Sequence, residues 1–393
     1  MKSNKTPNSF NLTESNRCLQ CMRPACRVAC PVGNNIPAFL QYVKNGELKK
    51  AVEIIGHPFG EVCGYVCPHE LQCQGSCVLS RRGQSVQMGE VERTVFALNP
   101  YKVERKGNKL KRKKIAVVGG GVSGITFAVK TYEQGADVTV YEKDELLSTL
   151  KLIPSFRLPT EALTRIEKAL KGTFKVVKQA ITAKELAQLQ RDFDIVYLAT
   201  GASVVYGLGI DGDELATPYD DFLRGKNLKD NIVVIGGGNT AMDCARLAKR
   251  NGCNVTVAYR RTREDMPAFA KEIEQTENEG VQFSFNLAPV KLEAKDGKLL
   301  LTLARTVSEG RGKLTVTDET TVIQCDTVVS ALGSGFDKSI FGQQQVGEDV
   351  RHPLSNVYVG GDAAGGKVVA KAVADALQTV KYILENTNNK RKQ

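Results

Sequence analysis

Eight of the eleven cysteines lie in one stretch, between residues 18 and 77. They form two runs, Cys18-x2-Cys21-x4-Cys26-x3-Cys30-Pro31 and Cys63-x3-Cys67-Pro68-x4-Cys73-x3-Cys77. Thiolates separated by so few residues can surround one inorganic centre, because the intervening residues let the chain loop around it. A Cys-Pro ending is typical of ferredoxin-like iron–sulfur runs, in which the last cysteine often ligates the other cluster. The runs favour two iron–sulfur clusters, with a structural zinc site or a disulfide framework as the alternatives.

A cluster needs a source of electrons, and a glycine-rich motif downstream indicates one. Residues 115–118 have the pattern of a buried strand and lead into Gly119-Gly120-Gly121-Val122-Ser123-Gly124. A helical pattern then runs to about Gly135, and residues 137–141 predict a second strand that ends at Glu142. A G-x-G-x-x-G motif between a strand and a helix, followed by an acidic residue, predicts a dinucleotide site.

The residue types of this motif explain its chemistry. Gly119 permits the tight turn, Gly121 lets the backbone approach a pyrophosphate, and Gly124 lets the helix pack closely on the strand. The helix N-terminus offers free N–H groups to the phosphates, and Glu142 can bind the ribose hydroxyls.

A second copy of the motif begins after residues 231–235, a further strand-like run. It reads Gly236-Gly237-Gly238-Asn239-Thr240-Ala241 and precedes a helix to about Asn251 and a strand at 254–258. The acid is absent here, and Tyr259-Arg260-Arg261 stands in its place. Paired arginines without an acid are typical of sites that bind the 2′-phosphate of NADP, so we expect this site to prefer NADP over NAD. The alternative is that these arginines face solvent. Two such units usually bind different dinucleotides, which assigns FAD to the first.

Two further segments fit a flavin. Ala199-Thr200-Gly201 follows the strand-like residues 195–198 and can close over a cofactor. Near the end of the chain, Gly360-Gly361-Asp362 follows another strand and precedes a helix from about Lys367 to Glu385. Asp362 can bind the ribityl chain, with a helix dipole aimed at the flavin ring, or it can simply cap a helix. Together these segments predict a FAD domain that is interrupted by an inserted nucleotide domain.

Composition restricts the class of protein. A chain of 393 residues can hold two or three domains, and its 25% charged and 42% hydrophobic residues are ordinary for a globular protein. The net charge is +11, but the densest basic patch, 106–114, lacks a recognition helix or interleaved aromatics, so nucleic acid is not expected as a partner. Residues 1–17 are polar, and the longest apolar stretch is too short to span a bilayer, so we expect a cytoplasmic protein with reduced cysteines and no membrane contact.

Between the cysteine runs, residues 34–56 predict two short helices, with Asn35 as N-cap and Gly56 as the terminating glycine. This small helical domain would depend on its clusters for stability. The remaining cysteines, Cys244, Cys253 and Cys325, form no Cys-x-x-Cys pair and are expected to be buried, inert thiols. Thioredoxin-reductase chemistry is therefore not expected.

These residues resemble the small (beta) subunit family of bacterial glutamate synthase, which also includes the amino-terminal half of dihydropyrimidine dehydrogenase and its bacterial small subunit. The resemblance covers residues 15–385 and is carried by the cysteine runs and three specific segments. These are Gly236-Gly-Gly-Asn-Thr-Ala-Met-Asp243, Tyr259-Arg-Arg-Thr-Arg-Glu-Asp-Met-Pro267 and Ser155-Phe-Arg-Leu-Pro159. It implies an α/β protein with an N-terminal all-α domain holding two 4Fe–4S clusters, followed by two Rossmann-like domains, the NADP domain inserted in the FAD domain. The expected bounds are 1–110 (clusters), 111–214 (FAD, first part), 215–330 (NAD(P)H) and 331–393 (FAD, second part).

The resemblance also implies ligands. It assigns Cys18, Cys21, Cys26 and Cys77 to one cluster. The other cluster would be held by Cys30, Cys67, Cys73 and an oxygen of Glu92, which leaves Cys63 as a non-ligand. The 2′-phosphate would lie among Arg260, Arg261 and Arg263, and Arg157 would contribute to the FAD site. The family usually has Gly-Gly-x-Leu after the ribose-binding acid, whereas residues 145–150 here contain no glycine.

The predicted function is that of an NADPH-dependent FAD/iron–sulfur oxidoreductase in which the cofactors carry the chemistry and no side chain acts as a catalytic acid or base. It would be the electron-input subunit of a larger enzyme, with a large subunit or a ferredoxin as acceptor. The alternatives are a free-standing reductase of ferredoxin or small molecules, and the small subunit of a dihydropyrimidine dehydrogenase. A different class of function is a non-catalytic, zinc-binding redox sensor or scaffold.

Overall fold

The structure, a computed structural model, describes residues 12–308, 314–345, 347, 351–366 and 368–389. The predicted start of the last helix at Lys367 and most of the polar segment 1–17 lie outside these residues. Two compact units are present. The first is formed by the described residues of Met1–Lys151, Ser155–Ala202 and Phe336–Gln393, and the second by Leu152–Pro154 and Ser203–Gly335.

The helices, in chain order, are α1 (Ala25–Ala29), α2 (Ile36–Lys44), α3 (Leu48–Ile55), α4 (Gly60–Val66), α5 (Met88–Leu98), α6 (Val122–Glu133), α7 (Ser148–Lys151), α8 (Thr160–Leu170), α9 (Ala183–Asp192), α10 (Tyr219–Leu223), α11 (Asn239–Arg250), α12 (Ala270–Asn278) and α13 (Val369–Asn389). The strands are β1 (Lys114–Val118), β2 (Asp137–Glu142), β3 (Lys175–Lys178), β4 (Ile195–Leu198), β5 (Val204–Val205), β6 (Thr217–Pro218), β7 (Asn231–Ile235), β8 (Asn254–Tyr259), β9 (Gln282–Phe285), β10 (Leu287–Lys295), β11 (Lys298–Ser308), β12 (Leu314–Cys325), β13 (Thr327–Ser330), β14 (Ser334–Gly335) and β15 (Val357–Val359). In the described residues, every helix is too short or too polar to cross a bilayer.

The cysteine runs are separated by α2 and α3, as predicted. Asn35 caps α2, because its side-chain oxygen accepts a hydrogen bond from the Ala38 amide, and Pro37 lies in the first turn. Gly56 ends α3 in the left-handed conformation, with a φ of 74°. The cysteines therefore lie on short helices and turns at either end of a helical pair.

The first unit contains a five-stranded parallel sheet in the order β15-β4-β1-β2-β3. Alternate residues of β1 face opposite sides of it, as strand geometry requires. Ile115 and Val117 pack against α6 and α13, whereas Ala116 and Val118 pack against α9. Helices thus cover both faces, which is the arrangement of a dinucleotide-binding fold.

The second unit repeats this plan with one change. Its parallel sheet has the order β6-β13-β7-β8-β9. Ile232 and Val234 of β7 pack against α11 and α12, but Val233 and Ile235 pack against the antiparallel sheet β10-β11-β12. The fold class is confirmed, with one Rossmann-like unit inserted in the other, while the three-stranded sheet was not anticipated.

Within the first unit, the buried carboxylate of Glu133 links α6 to the N-terminal helical segment that contains α1 to α5. Glu133 is 1% exposed and accepts hydrogen bonds from the Tyr101 hydroxyl at 2.5 Å and from Lys106 Nζ at 3.1 Å. Lys130 also pairs with it and donates to the carbonyl oxygen of Gly56 at 3.1 Å. Because each charge is compensated, this cluster fixes the segment around Gly56 and Tyr101 against α6.

We expect Glu133→Ala to destabilise the first unit by about 3 kcal/mol, because it leaves partly buried lysines without their carboxylate. The melting temperature of the protein measures the effect. Glu167→Ala is the matched control, since Glu167 pairs with Lys151 at the surface, where such pairs contribute about 0–1 kcal/mol. Equal losses for the two variants would contradict the role given to Glu133.

Candidate functional site

Five thiols from both cysteine runs lie around one cavity. Cys18, Cys21, Cys26 and Cys77 line about 520 Å³ of empty space, part of it open to solvent, together with Cys73. Burial, together with the neighbouring sulfurs of Cys18, Cys77 and Cys21, raises the pKa of Cys26 to about 11. Cys18 has a raised pKa for the same reasons, with Cys21 and Cys77 as its neighbours. The structure therefore brings together the four cysteines predicted for the first cluster.

A second group lies around Glu92 of α5. Burial raises the pKa of Cys30, and the charges of Glu92 and Cys67 add to the effect. The pKa of Cys73 is raised by burial and then by Glu92, Cys30 and Cys67. Cys63, on α4, also lies here, because its thiol is hydrogen-bonded to Cys67. The group thus contains the four predicted ligands and one further thiol.

Glu92 itself fits an oxygen ligand. Its side chain is 4% exposed, and its Oε1 is buried without a hydrogen-bond partner. Burial raises the pKa of this carboxyl well above its ordinary value, and Cys67 contributes to the shift. A buried acceptor without a partner is costly unless something binds it, and an iron atom would satisfy this oxygen.

The donor set is rich in thiols, the ligand type that holds iron–sulfur clusters. Within the described part of the chain, no three His, Cys, Asp or Glu side chains converge closely enough to bind a single metal ion. A 4Fe–4S cluster spreads its ligands more widely, because each takes a different iron atom. All eleven cysteines are free thiols in the structure.

The first glycine loop joins β1 to α6. Gly119 has a φ of 106°, and a Cβ built on it would stand 2.3 Å from the carbonyl oxygen of Ala199, so only glycine fits. The buried carboxylate of Glu142 ends β2 beside this loop and accepts hydrogen bonds from the amides of Gly120 at 2.6 Å and Asp144 at 2.9 Å. The loop, the acid and the turn after β4 therefore meet at one edge of the sheet.

This edge has the features of a phosphate site. Gly121 begins α6 without a side-chain cap, so the first-turn amides are available to a ligand. Among the described residues, only the Thr149 hydroxyl lies within 4 Å of a Cβ built on Gly121, at 3.6 Å. Gly124 could carry no Cβ, because the Gly119 carbonyl oxygen would be 1.9 Å away. Thr200 Oγ1 is buried without a hydrogen-bond partner, and Gly201 follows it with a φ of 68°. These residues fit a bound dinucleotide.

The C-terminal segment reaches the same edge. Gly361 has a φ of 71°, and a Cβ on it would stand 2.7 Å from Ser123 Cβ in the first turn of α6. Asp362 is exposed and lies in the short 3-10 turn Gly361–Ala364 that precedes α13. Arg157, in the segment before α8, is half-buried.

Three residues that sequence reasoning missed hold this turn in place. The Asp375 carboxylate accepts the Gly361 amide at 2.9 Å, and the hydroxyls of Ser123 and Tyr197 are 2.7 Å apart. Tyr197 also stacks on Phe127, with ring centroids 4.0 Å apart. Polar side chains in the apolar patterns around Ser123, Tyr197 and Asp375 could have indicated a buried network. Which of these side chains contact one another depends on long-range packing that the sequence pattern does not give.

The second glycine loop joins β7 to α11 and repeats the geometry. Gly236 has a φ of 143°, and a Cβ there would stand 2.4 Å from the carbonyl oxygen of Ala331. Gly238 begins α11 without a side-chain cap and has no atom within 4 Å of a built Cβ. Asn239 is partly engaged, since its Oδ1 accepts the Phe269 amide at 2.9 Å. Thr240 and Ala241 follow in the first turn of α11, where Ala241 is fully buried.

The arginines after β8 differ in their surroundings. Tyr259 ends β8, and its ring lies 2.6 Å from a Cβ built on Gly237, so Arg260 and Arg261 start next to the loop. In the described residues, neither of their guanidinium groups forms an ion pair. Arg263 instead makes two hydrogen bonds with the Glu277 carboxylate, both 2.7 Å long. A 2′-phosphate would meet two unpaired arginines and one that already has a partner.

Residues 145–150, where the family usually has a glycine pair, fold over the first glycine loop. Leu147 is fully buried with a φ of 60°, and its amide donates to the Gly120 carbonyl at 2.9 Å. A left-handed leucine costs about 1–2 kcal/mol, so surrounding contacts must hold it. The backbone therefore reaches the loop without glycine. Cys244, Cys253 and Cys325 are buried, as predicted.

Two protein families match most of the chain. Residues 2–102 match dihydropyrimidine dehydrogenase domain II, 4Fe-4S cluster. Residues 113–379 match pyridine nucleotide-disulphide oxidoreductase. The boundary between the two matches falls where the helical segment gives way to β1.

Similar proteins are known over nearly the full length. The glutamate synthase [NADPH] small chain of Azospirillum brasilense is 30% identical, covering 92% of this chain and 86% of that protein. The corresponding small chain of Escherichia coli (strain K12) is 29% identical over 94% of this chain and 90% of its own length. Among solved structures, Mycobacterium tuberculosis FprA in complex with NADPH matches 71% of this chain and 85% of its own, with a TM-score of 0.60 and 18% identity. This last likeness concerns the fold.

Proposed function

Because the chain belongs to the pyridine nucleotide-disulphide oxidoreductase family and to the family of the glutamate synthase small chains, we propose that it passes electrons from NADPH through FAD and two 4Fe–4S clusters to a partner protein. That it is an NAD(P)H-dependent flavoprotein oxidoreductase with an iron–sulfur domain follows from the family itself. The observation that carries the finer proposal is the presence of a four-thiol group and a glycine loop with its acid in one compact unit.

FAD can accept a hydride from a nicotinamide and release the two electrons one at a time to iron–sulfur clusters. The protein's own residues bind and orient these groups. With FAD bound, the amides at the start of α6 would face the pyrophosphate, Glu142 would accept hydrogen bonds from the ribose hydroxyls, and Thr200 Oγ1 would donate one to the nucleotide. The hydrogen bond from the Gly361 amide to Asp375 keeps the turn Gly361–Ala364 against α6.

In the second unit, the uncapped start of α11 binds the NADPH pyrophosphate, and Arg260 and Arg261 bind its 2′-phosphate. Arg263 can join them only by leaving Glu277, so we expect it to contribute less. Guanidinium groups suit a phosphate because they donate two parallel hydrogen bonds.

The clusters are proposed to lie in the two thiol groups, one held by Cys18, Cys21, Cys26 and Cys77, the other by Cys30, Cys67, Cys73 and Glu92. Cys63 is proposed to stay a thiol. A reduced, cytoplasmic environment would suit eleven free cysteines. The acceptor would be a large subunit or a ferredoxin; an isolated reductase of small molecules is the second candidate, favoured by the partial exposure of the first group.

Anaerobic titration of the purified, cofactor-loaded protein with NADPH tests the proposal. We expect flavin and iron–sulfur absorption in the oxidised protein, bleaching by NADPH, and an EPR signal from reduced clusters. Iron and acid-labile sulfide would be measured in the same sample. A colourless protein that contains zinc would instead support the non-catalytic sensor or scaffold.

Glu92→Ala is expected to lower cluster content. The variant removes the proposed oxygen ligand of one cluster and leaves every thiol in place. Roughly half of the iron should therefore be lost while FAD stays bound. Glu90→Ala, on the same helix but partly exposed, serves as control. Unchanged iron and cluster spectra in Glu92→Ala would disprove the ligand role of Glu92.

A further inference from the structure

The most exposed large hydrophobic side chains in the described residues are carried by the cysteine loops. Met22 is 99% exposed, Val28 87%, Leu71 68% and Leu19 61%. Elsewhere in the described chain, the highest value is 58%, for Val322. Single exposed hydrophobic residues are ordinary, but several on segments whose cysteines line one cavity indicate an interaction site.

A cluster in the cavity does not account for this exposure. Leu19 lines the cavity beside Cys18 and Cys21, so a group bound there would cover part of it. Met22, Val28 and Leu71 do not line the cavity. These three side chains therefore stay in water when the thiols hold their cofactor, and another molecule must cover them if they are to be buried.

The same loops are basic. Residues 19–30 and 68–82 contain four arginines, Arg23, Arg27, Arg81 and Arg82, against one carboxylate, Glu70. All four arginines are exposed, and none of them forms an ion pair within the described residues. Unpaired positive charge around an apolar centre attracts a partner of negative charge and speeds its association.

We propose that this cysteine-loop surface, formed by Leu19, Met22, Val28 and Leu71 with the four arginines, docks an acidic protein electron carrier. The inference rests on the proposed function and names its partner class. Methionine and arginine are enriched in protein interfaces, and short-lived redox complexes need only a small contact area. The thiols of Cys18, Cys21, Cys26 and Cys77 are partly exposed beneath these loops, so electrons would leave by a short path.

Stopped-flow kinetics of the full, cofactor-loaded chain reduced by NADPH can test this surface. The probes are an acidic ferredoxin, basic cytochrome c and the small neutral acceptor menadione. We expect Arg23→Glu/Arg27→Glu to slow ferredoxin reduction about 10- to 100-fold at low ionic strength, with the difference disappearing at high salt. Cytochrome c reduction should accelerate, and menadione reduction should not change.

A matched control is Lys184→Glu/Arg191→Glu, which makes the same change of charge on exposed residues of α9. Equal slowing by both double variants would assign the effect to net charge and overturn the proposal, as would unchanged ferredoxin kinetics in the cysteine-loop variant. If that variant loses iron, Arg81→Glu/Arg82→Glu repeats the test from the second run. Met22→Ser should raise the KM for ferredoxin without altering the salt dependence.

Two other outcomes are distinguishable. Failure of NADPH to reduce the flavin and the clusters of the unaltered protein would refute the proposed function itself. A dimer in solution that the arginine variants dissociate would show that a second copy of this chain covers the surface, and would overturn the assignment to an acidic carrier.

Discussion

Cys26→Ala is expected to remove one cluster and to abolish electron delivery to a protein acceptor. Cys26 has three other thiols around it and lines the cavity that they share, so its loss leaves an incomplete ligand set. We expect roughly half of the iron to be lost and the rate of ferredoxin reduction to fall by about 100-fold or more. Reduction of the flavin by NADPH, measured by its absorbance, should persist because the glycine loops are unaltered.

Cys63→Ala is the matched control, since Cys63 is buried in the second thiol group but is predicted to bind no iron. The variant should keep its iron and its rate of ferredoxin reduction, with a modest loss of stability from the small cavity. Loss of iron in Cys63→Ala, or full iron content in Cys26→Ala, would contradict the proposed ligand sets.

Replacing both Arg260 and Arg261 with alanine is expected to raise the KM for NADPH by about 100-fold or more. A hydrogen bond to a charged group contributes about 1.5–3 kcal/mol, and two guanidinium groups would be lost from the phosphate. The KM for NADH should change by no more than about two-fold, since NADH carries no 2′-phosphate. Steady-state kinetics with menadione as acceptor would measure both constants.

Arg263→Ala makes this test graded. Because Arg263 is held by Glu277, its removal should raise the KM for NADPH less than removal of Arg261 does. Equal increases for NADPH and NADH in the double variant would show that the arginines support the fold of the loop and not the phosphate.

The glycine loops could be predicted because local geometry leaves few alternatives. At Gly119 and Gly236 the chain takes a positive φ against the carbonyl oxygen of the residue that follows a neighbouring strand, so residue type and position are tightly linked. The same holds for Gly56 at the end of α3. Strand and helix bounds around these positions were predicted to within a few residues.

Other features depend on contacts between distant parts of the chain. The carboxylate of Asp375 meets the amide of Gly361 only after α13 has packed, and nothing in the helical pattern of 369–389 marks that role. The left-handed backbone of Leu147 is equally hidden, because leucine rarely adopts it. The placement of Glu92 among the thiols came from resemblance to a family, since the spacing of cysteines says nothing about a carboxylate on α5. The ligand sets themselves stay predictions.

The strand order of the first sheet has a consequence for synthesis of the protein. β15 pairs with β4 at the sheet edge, yet nearly all of the second unit, Ser203–Gly335, is translated between them. At a translation rate of 5–20 residues per second, the edge of β4 stays unpaired for roughly 10–30 s before β15 is synthesised. Unpaired strand edges promote aggregation, so this interval exposes the nascent chain to aggregation and to chaperones. Ribosome-bound chains that end before residue 357 should therefore bind chaperones more strongly than chains that extend beyond α13.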